Sequence, residues 1–187
     1  MKSPYSFIVK PLGGSRYVNK KTIADMDFIV NTSEENHKAS NRMAEVIATP
    51  LGYDGDIEVG DILLVHHNVF KFYNDMYGRK KSGKSFLKDD TFFVDSDQFF
   101  MYSKDEQWFA HDKNCFIRPI EKRKKSIDTN DKEEPLMGQM VYPNKYLMSK
   151  GVEEGMIVGY TPGCNYEFNV DGERMYRLFD HQITMVL

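Results

Sequence analysis

Two short stretches, Gly60-Asp61-Ile62-Leu63-Leu64-Val65 and Gly155-Met156-Ile157-Val158-Gly159-Tyr160, decide the fold of this chain. Each begins at a glycine and continues as a short apolar run, which is typical of a buried β-strand. Related stretches precede them, because Met43-Ala44-Glu45-Val46-Ile47 is similar to Met137-Gly138-Gln139-Met140-Val141. The order and the spacing of the two pairs agree, so the sequence predicts an internal repeat of a small β unit.

Further segments extend this repeat. Two pairs place a strand beside a turn: Val94-Asp95-Ser96-Asp97 with Val170-Asp171-Gly172-Glu173, and Asp112-Lys113-Asn114-Cys115 with Asp180-His181-Gln182-Ile183. Residues 116–120 are similar to residues 7–12, so they end one unit, begin the next, or do both. The first unit is enlarged by an insertion around residues 74–90. We therefore predict two domains, residues 1–120 and residues 121–187, the second a partial or complete copy of the first.

The remaining pattern predicts an all-β protein. Apolar residues occur in short runs rich in Val, Ile, Phe and Tyr, and no window holds a long helical period. Two polar connections, residues 31–42 and 122–135, are typical of exposed loops. The predicted strands cover residues 5–11, 43–48, 61–66, 69–73, 91–94, 98–102, 114–120, 138–142, 156–160, 165–170, 174–178 and 182–187.

Composition excludes several classes of protein. The 187 residues are 41% hydrophobic, 28% charged and 13% aromatic, which indicates a globular chain and excludes a disordered one. The net charge of -3 is too balanced for a global field that attracts nucleic acid or anionic lipid. The sequence contains no apolar run long enough for a signal peptide or a membrane helix, so we expect a cytoplasmic protein without membrane contact.

Cysteine and histidine residues form no metal or disulfide pattern. Cys115 and Cys164 lack CxxC spacing, which predicts two buried, reduced thiols. The five histidines lack the spacing of metal ligands and stand at positions 37, 66, 67, 111 and 181. The sequence shows no acid-base pair and no nucleophile motif. We therefore expect no metal, no cofactor and no enzymatic activity.

The order of the motifs resembles that of the GroES-type co-chaperonin family. Ile8-Val9-Lys10-Pro11-Leu12-Gly13-Gly14-Ser15-Arg16-Tyr17-Val18 is similar to the family's first strand, and Val59-Gly60-Asp61-Ile62-Leu63-Leu64-Val65 is similar to its Val-Gly-Asp strand. Residues 166–176 and 180–183 resemble its last hairpin and its closing strand. The resemblance covers most of the chain. It implies a GroES-like β-barrel, here with a second, smaller β unit made by the repeat.

The resemblance also implies a function and a binding site. Residues 21–30 occupy the place of the family's mobile loop, and Phe28, Ile29 and Val30 are its expected chaperonin-binding residues. Such a protein forms a homo-oligomeric ring that caps a GroEL-type chaperonin ring, in a cycle whose ATP belongs to the partner. The equivalent place in the second unit, residues 121–135, has no apolar triplet. A tandem chain is thus expected to have one docking loop.

The residues themselves leave two interpretations of the apolar triplet open. On a polar tether, Phe28-Ile29-Val30 can fold against a partner's hydrophobic groove. One such loop binds weakly, whereas many loops on one ring bind tightly. Alternatively, the triplet is an ordinary edge strand of its own barrel, a role that suits β-branched residues. The chain is then a structural or interaction subunit of a symmetric assembly. Residues 19–42 discriminate, because a docking loop has to be exposed and mobile.

One motif indicates a different activity. Gly78-Arg79-Lys80-Lys81-Ser82-Gly83-Lys84-Ser85 matches the phosphate-binding pattern GxxxxGK(S/T), but the flanking residues predict neither the strand nor the helix that this pattern requires. A basic, mobile hairpin tip is the favoured interpretation. The same cations lie near aromatic residues that could stack on single-stranded nucleic acid. We do not expect that partner, because five acidic neighbours cancel much of the field: Asp75, Asp89, Asp90, Asp95 and Asp97.

Overall fold

β-Strands build both of the units into which the chain divides, Met1–Gln107 and Trp108–Leu187. This computed structural model describes residues 2–17, 20–23, 26–29, 40–121 and 133–187. The division falls after Gln107, whereas the sequence analysis placed it after residue 120. Residue 120 lies within a strand of the second unit, so the segment 116–120 begins that unit.

The all-β class predicted from the sequence is confirmed. Among the described residues, the helical segments are one α-helix, α1 (Lys145–Ser149), and two 3-10 turns, Leu12–Gly14 and Asp180–Gln182. The strands are β1 (Phe7–Pro11), β2 (Lys20–Ile23), β3 (Met26–Ile29), β4 (Met43–Ala48), β5 (Ile62–Val65), β6 (Phe72–Asn74), β7 (Lys80–Ser82), β8 (Phe86–Lys88), β9 (Thr91–Val94), β10 (Phe99–Lys104), β11 (Gln107–Ala110), β12 (Asn114–Glu121), β13 (Glu133–Tyr142), β14 (Ile157–Tyr160), β15 (Tyr166–Val170), β16 (Glu173–Phe179) and β17 (Ile183–Val186).

The first sheet has seven strands in the order β11-β10-β5-β4-β1-β9-β8. The strands β1, β4, β5, β9 and β10 pair with their neighbours in antiparallel fashion. Two hairpins are inserted along the chain as small sheets of their own. The β2–β3 hairpin lies between β1 and β4 in sequence, and the β6–β7 hairpin lies between β5 and β8.

The second sheet repeats this arrangement. Its six strands have the order β15-β16-β12-β13-β14-β17, and all neighbours are antiparallel. When the inserted hairpins and β11 are left out, each unit has six strands. If these are numbered in chain order within their unit, the strands of both sheets lie in the same order, 4-5-1-2-3-6. The internal repeat predicted from the sequence is therefore present in the fold.

The strand registers make the repeat residue-specific. In the first unit Ala44 lies opposite Leu63, and in the second unit Gly138 lies opposite Val158. These are the positions that the sequence repeat aligned. A bulge follows the same position of the first strand in both units, since the register shifts between Ile8 and Val9 and again within residues 116–117.

The later part of the sequence alignment was wrong. Val94 lies opposite Phe7 of β1, and Leu178 lies opposite Cys115 of β12. The bulge follows Ile8 in β1 and Phe116 in β12, so Phe7 and Cys115 occupy equivalent positions in the two units. Their partners Val94 and Leu178 are therefore equivalent as well. Val170 instead ends β15, one strand earlier in the unit. The error arose because both segments combine a valine with an acidic tight turn, and a turn occurs at several places in an antiparallel unit.

Two glutamines are the counterparts that the sequence alignment missed. The side-chain oxygen of Gln98 accepts a hydrogen bond from the backbone N–H of Asp95 at 3.0 Å. The side-chain oxygen of Gln182 accepts one from the backbone N–H of Phe179 at 2.8 Å. Each glutamine closes the turn before the sixth strand of its unit. Residues 112–115, which the sequence analysis aligned there, lead into the first strand of the second unit.

Each unit has its own apolar core, and the two cores use equivalent positions. The side chains differ between the copies while the positions coincide, as expected when volume and pattern specify a core. The shared core pairs are Phe7 and Cys115, Val9 and Ile117, Val46 and Met140, Leu63 and Val158, Val65 and Tyr160, Phe92 and Tyr176, and Val94 and Leu178.

The strand pairings leave both large sheets open. Among the residues described, β11 does not pair with β8, and β15 does not pair with β17. The GroES-like barrel that the resemblance implies therefore stays a prediction, while the all-β class and the repeat are established.

Candidate docking site

Both inserted hairpins leave the first unit at the same end of its sheet. Strand β4 is antiparallel to β1 and to β5. The end of β1, the start of β4 and the end of β5 therefore lie together. The β2–β3 hairpin belongs to the connection after β1, and the β6–β7 hairpin belongs to the connection after β5. We call this edge the hairpin end of the first unit.

The insertion that carries β2 and β3 is closed at its base by backbone and side-chain contacts. Tyr17 and Ser40 form an isolated antiparallel bridge. Beside it, the N–H of Asn41 donates to the carbonyl of Arg16 at 2.9 Å, and the buried Asn41 side chain donates to the carbonyl of Ser15 at 2.7 Å. We call residues 15–17 and 40–41 the neck. It holds the two ends of the insertion side by side.

Arg16 joins the neck to the β6–β7 hairpin. Its side chain is only 10% exposed, and its Nη1 donates to Ser82 Oγ at 2.9 Å while its Nε donates to Asp90 Oδ1 at 3.0 Å. A guanidinium held over aromatic faces is attracted by their electron density. Its central carbon lies 4.2 Å from the ring centroid of Phe72, 4.7 Å from that of Phe92 and 5.1 Å from that of Phe86.

Tyr17 makes a second link between the same two elements. Its hydroxyl oxygen accepts a hydrogen bond from the backbone N–H of Phe72 at 3.0 Å. The two rings are stacked, with centroids 6.1 Å apart and an interplanar angle of 18°. The base of the β6–β7 hairpin is therefore packed on the neck, at the base of the insertion that carries β2 and β3.

The two faces of the β6–β7 hairpin differ in character. Phe72 lies opposite Ser82, and both contact Arg16, so this face is turned toward the neck. Tyr73 lies opposite Lys81, and both side chains are exposed. Because successive side chains of a strand point to opposite faces, Tyr73 and Lys81 belong to the outer face.

Asp75 shapes the turn of this hairpin. Its Oδ1 accepts hydrogen bonds from the backbone N–H groups of Tyr77 and Arg79, both at 2.9 Å, and its Oδ2 lies 3.5 Å from Lys81 Nζ. The Arg79 N–H, assisted by the Tyr77 N–H and by Lys81, holds the pKa of Asp75 below its ordinary value. The carboxylate is thus committed to its own turn.

The tip of the hairpin presents large side chains to solvent. Met76 is 89% exposed, Tyr77 is 74% exposed and Tyr73 is 49% exposed. The guanidinium carbon of Arg79 lies 5.3 Å from the centroid of the Tyr77 ring. The tip therefore combines exposed apolar area with positive charge, which is typical of a contact surface.

Two of the three predicted chaperonin-binding residues lie on the β2–β3 hairpin. Phe28 and Ile29 lie in β3, where they stand opposite Lys21 and Lys20 of β2. Val30 lies outside the described residues. Within the part of the chain described, β2 and β3 pair with each other and with no strand of the seven-stranded sheet. The docking role of Phe28, Ile29 and Val30 stays a prediction.

The phosphate-binding pattern does not form a phosphate-binding loop. Residues 78–85 run from the hairpin turn through β7, and β8 follows them in place of a helix. The ammonium of Lys80 lies 4.1 Å from the centroid of the Phe72 ring, and the N–H of Gly83 donates to the carbonyl of Lys71 at 3.2 Å. The segment is part of a basic β-hairpin, which agrees with that element of the interpretation.

The two thiols differ in their surroundings. Cys115 is buried, and burial raises its pKa to about 12. Cys164 is only half-buried, because it lies in the loop between β14 and β15, and its Sγ donates to the carbonyl of Thr161 at 2.7 Å. The prediction of two buried thiols was thus wrong for Cys164. Neither is in a disulfide, and no cluster of three or more metal-ligating side chains occurs among the described residues.

The second unit contains a polar network that the sequence analysis missed. Arg174 donates to Glu133 and, at 2.9 Å, to Glu167 Oε2, and the Tyr176 hydroxyl donates to Glu133 Oε2 at 2.8 Å. Burial raises the pKa of Glu133, but the hydrogen bonds from Tyr176 and Arg174 outweigh it and leave that pKa below its ordinary value. The network ties β13 to β16.

Comparisons with known proteins assign no family to this chain. No protein-family model matches it, and no curated protein matches it either. Over the described ranges, no helix has both the length and the apolar character that crossing a membrane requires.

Proposed function

We propose that the chain is a GroES-type co-chaperonin. Copies of it form a ring on a GroEL-type chaperonin and close the folding chamber, in a cycle driven by the partner's ATP in the cytoplasm. One observation carries the proposal: the predicted docking residues Phe28 and Ile29 lie on a hairpin that is a sheet of its own, inserted through a closed neck. A docking element has to be separable from its scaffold in this way.

The Val-Gly-Asp motif, on which the family resemblance partly rests, has a structural role in this fold. The Val-Gly-Asp motif that resembles the family's strand lies at a turn directly before β5. There Gly60 has a φ of 100°, and Asp61 Oδ2 accepts a hydrogen bond from the N–H of Glu58 at 2.7 Å. A φ in this left-handed region favours glycine, so Val59-Gly60-Asp61 forms the turn that leads into β5.

The energetics of docking explain the need for a ring. Each apolar side chain that a partner's groove buries contributes about 1.5–3 kcal/mol, and ordering the segment offsets much of that gain. One triplet therefore binds weakly. Several triplets on one ring raise each other's effective concentration, which makes the complex tight but still releasable.

Co-elution with a chaperonin tests the proposal. The purified chain is mixed with a GroEL-type ring, with and without ATP, and analysed by size-exclusion chromatography. We expect ATP-dependent co-elution of the wild type, and loss of co-elution when Phe28, Ile29 and Val30 are all changed to serine.

A matched variant controls for the removal of three apolar side chains. Leu51, Tyr146 and Met148 are exposed elsewhere, and changing all three to serine is expected to leave co-elution intact. Equal co-elution of the wild type and the triplet variant would reject the docking assignment. A wild-type ring that never joins the chaperonin would reject the co-chaperonin proposal and favour a structural subunit.

A further inference from the structure

The second unit shows that the β6–β7 hairpin is not needed to build the repeated sheet. There, residues 161–165, all of them described, connect β14 directly to β15. In the first unit the equivalent connection, between β5 and β8, includes the whole hairpin. Its base contributes to packing at the neck, but its tip contributes exposed side chains. Such an addition has to be explained by something other than the fold of the unit.

The hairpin and its flanks carry strong positive charge on a chain that is acidic overall. Between Lys71 and Lys88 the sequence has six cationic residues and one acidic residue, whereas the whole chain has a net charge of -3. The single acid, Asp75, is engaged by two backbone N–H groups and by Lys81.

Two of the four aspartates that follow the hairpin in sequence are engaged by partners outside it. Asp90 accepts from Arg16, and Asp95 Oδ1 accepts from Ser6 Oγ at 2.6 Å. The cancellation of charge expected from the sequence is therefore weaker than the number of aspartates suggests.

The position of the hairpin indicates which partner it meets. Arg16 and Tyr17 hold its base on the neck of the β2–β3 insertion, so both hairpins start at the same end of the first unit, and a large body docked at that end is within reach of both. The outer face, with Tyr73, Tyr77 and Arg79, is free of the packing that covers Phe72. A cationic surface with exposed aromatic rings complements an acidic protein surface.

We propose that the β6–β7 hairpin is a second docking element, whose outer face binds an acidic surface on the rim of the same chaperonin ring. This inference rests on the proposed function. The apolar triplet supplies the releasable hydrophobic contact, while the basic hairpin speeds encounter and fixes the orientation of the chain on the ring. The contact is electrostatic, so it weakens as salt concentration rises.

Site-specific photocrosslinking tests the contact directly. A photoreactive phenylalanine analogue replaces Tyr77 in the full chain, which is then irradiated with the chaperonin ring and ATP. The control places the same analogue at Tyr146, an exposed tyrosine of the second unit that also has a cation, Lys150, over its ring. We expect an adduct with the ring subunit from position 77, mapped to an acidic segment, and none from position 146.

Charge reversal tests the electrostatic nature of the contact. The variant changes Arg79 and Lys84 to glutamate and keeps Lys80, which lies over the Phe72 ring, and Lys81, which pairs with Asp75 in the turn. Reversing two exposed charges is expected to weaken ring binding about tenfold at low salt, with little effect at high salt. The matched control reverses the exposed Lys2 and Lys113 and is expected to bind like the wild type. A glutamine version of the first variant removes the positive charges without adding negative ones. It therefore shows whether repulsion that unfolds the hairpin, and not loss of the contact, causes the weaker binding.

The outcomes separate this inference from the proposed function. If the triplet variant loses the ring while the reversed and glutamine variants bind like the wild type, the hairpin proposal is overturned and the co-chaperonin proposal stands. If the wild type never binds the ring, both are rejected. A labelled twenty-nucleotide thymidine strand is added as a competing probe. If the hairpin variants lose this strand but keep the ring, the hairpin is a nucleic-acid element and the proposal is overturned.

Discussion

The two units of this chain are copies of one antiparallel sheet, yet only the first carries both inserted hairpins in the described structure. The first unit interrupts the repeat after its first strand and again after its third strand. The second unit passes from its third strand to its fourth through a short loop, and it adds α1 before the third strand. The shared part shows what the fold requires, and the added part of the first unit shows where a partner is expected.

The difference also separates two kinds of residue. Positions shared by both copies are buried and tolerate exchange, as Phe92 and Tyr176 show in the two cores. Arg16 and Tyr17 act only where the hairpins leave the first unit, and they connect residues that are far apart in sequence. Variants at shared positions therefore test the repeat, and variants at the hairpin end test the function.

The largest effect is expected at a shared core position. Phe92 is fully buried, and its ring packs edge-on against Phe70, with centroids 4.8 Å apart. Phe92→Ala is expected to destabilise the first unit by about 3–5 kcal/mol, because it removes apolar contacts and leaves a cavity. Urea denaturation measures the change, with the exposed Tyr5→Ala as control. A loss below about 1 kcal/mol would contradict the assignment of Phe92 to the core.

Placing the residue of the first unit at the equivalent position of the second unit sharpens the comparison. The first unit has Ala44 where the second has Gly138, and a Cβ at Gly138 would lie 2.6 Å from Ile117 Cδ1 and 3.0 Å from the Arg118 carbonyl oxygen. Gly138→Ala is expected to cost about 1–3 kcal/mol through overpacking, measured by thermal denaturation.

The nearest atom of this clash belongs to a side chain that can be shortened. Adding Ile117→Val removes Cδ1, so the double variant is expected to recover part of the stability that Gly138→Ala loses. An unchanged or raised melting temperature for Gly138→Ala alone would show that the second unit packs differently from the description given above.

Equal, smaller effects are expected at the two glutamines. Gln98→Ala and Gln182→Ala each remove one side-chain acceptor from a backbone N–H at the same turn of the two copies. Each change is expected to cost about 0.5–1.5 kcal/mol, the usual net value of one hydrogen bond. Hydrogen exchange at Asp95 and Phe179 reports each turn separately. Strongly unequal effects would break the proposed equivalence of the two turns.

The smallest effect concerns the acid dependence of the second unit. The pKa of Glu133 is lowered in the folded chain, so its contribution is present above the ordinary value of 4.5 and is lost as pH falls through the folded pKa. The carboxylate is partly exposed, and we expect only about 0.5 kcal/mol after solvent screening. Comparing Glu133→Gln with the wild type near pH 7 and pH 3 measures it. A larger difference at the lower pH would contradict this sign.

Short apolar runs predicted most of the long strands but missed several of the short ones. Strands β4 and β9 were predicted with their observed bounds from their short apolar runs, and their alternating burial shows that one face of each strand packs on the core. Strand β8, with three residues, was not predicted, since so short a segment leaves no readable period. Val69 and Phe70 were predicted to start a strand. They lie outside the strands, but both side chains are buried in the core. A buried residue of a turn is as apolar as a buried residue of a strand, so the sequence did not distinguish the two.

The helix α1 was missed for a related reason. Its five residues are too few to show a helical period. A start signal was nevertheless present, because Asn144 precedes it and its side chain accepts the N–H of Leu147 at 2.8 Å. Gly151, with a φ of 85°, follows its end. Capping residues on both sides would have predicted it where hydrophobic pattern alone could not.

Only part of the candidate site could be predicted from the sequence. The triplet Phe28-Ile29-Val30 came from a resemblance to a family, and the structure adds a hairpin for its first two members. The neck and the Arg16 contacts could not be predicted, since Arg16, Phe72 and Asp90 meet only when the first, third and fourth strands of the unit are in place. Local patterns indicate elements, whereas a site made between elements depends on their pairing.

Hydrogen exchange of the full chain, measured with and without a GroEL-type ring and ATP, tests the central claim most directly. Peptides covering residues 20–30 are expected to gain protection on binding, whereas peptides covering residues 121–135 of the second unit are not. Unchanged exchange in residues 20–30 in a formed complex, or equal protection of both segments, would contradict the claim that docking belongs to the first copy alone.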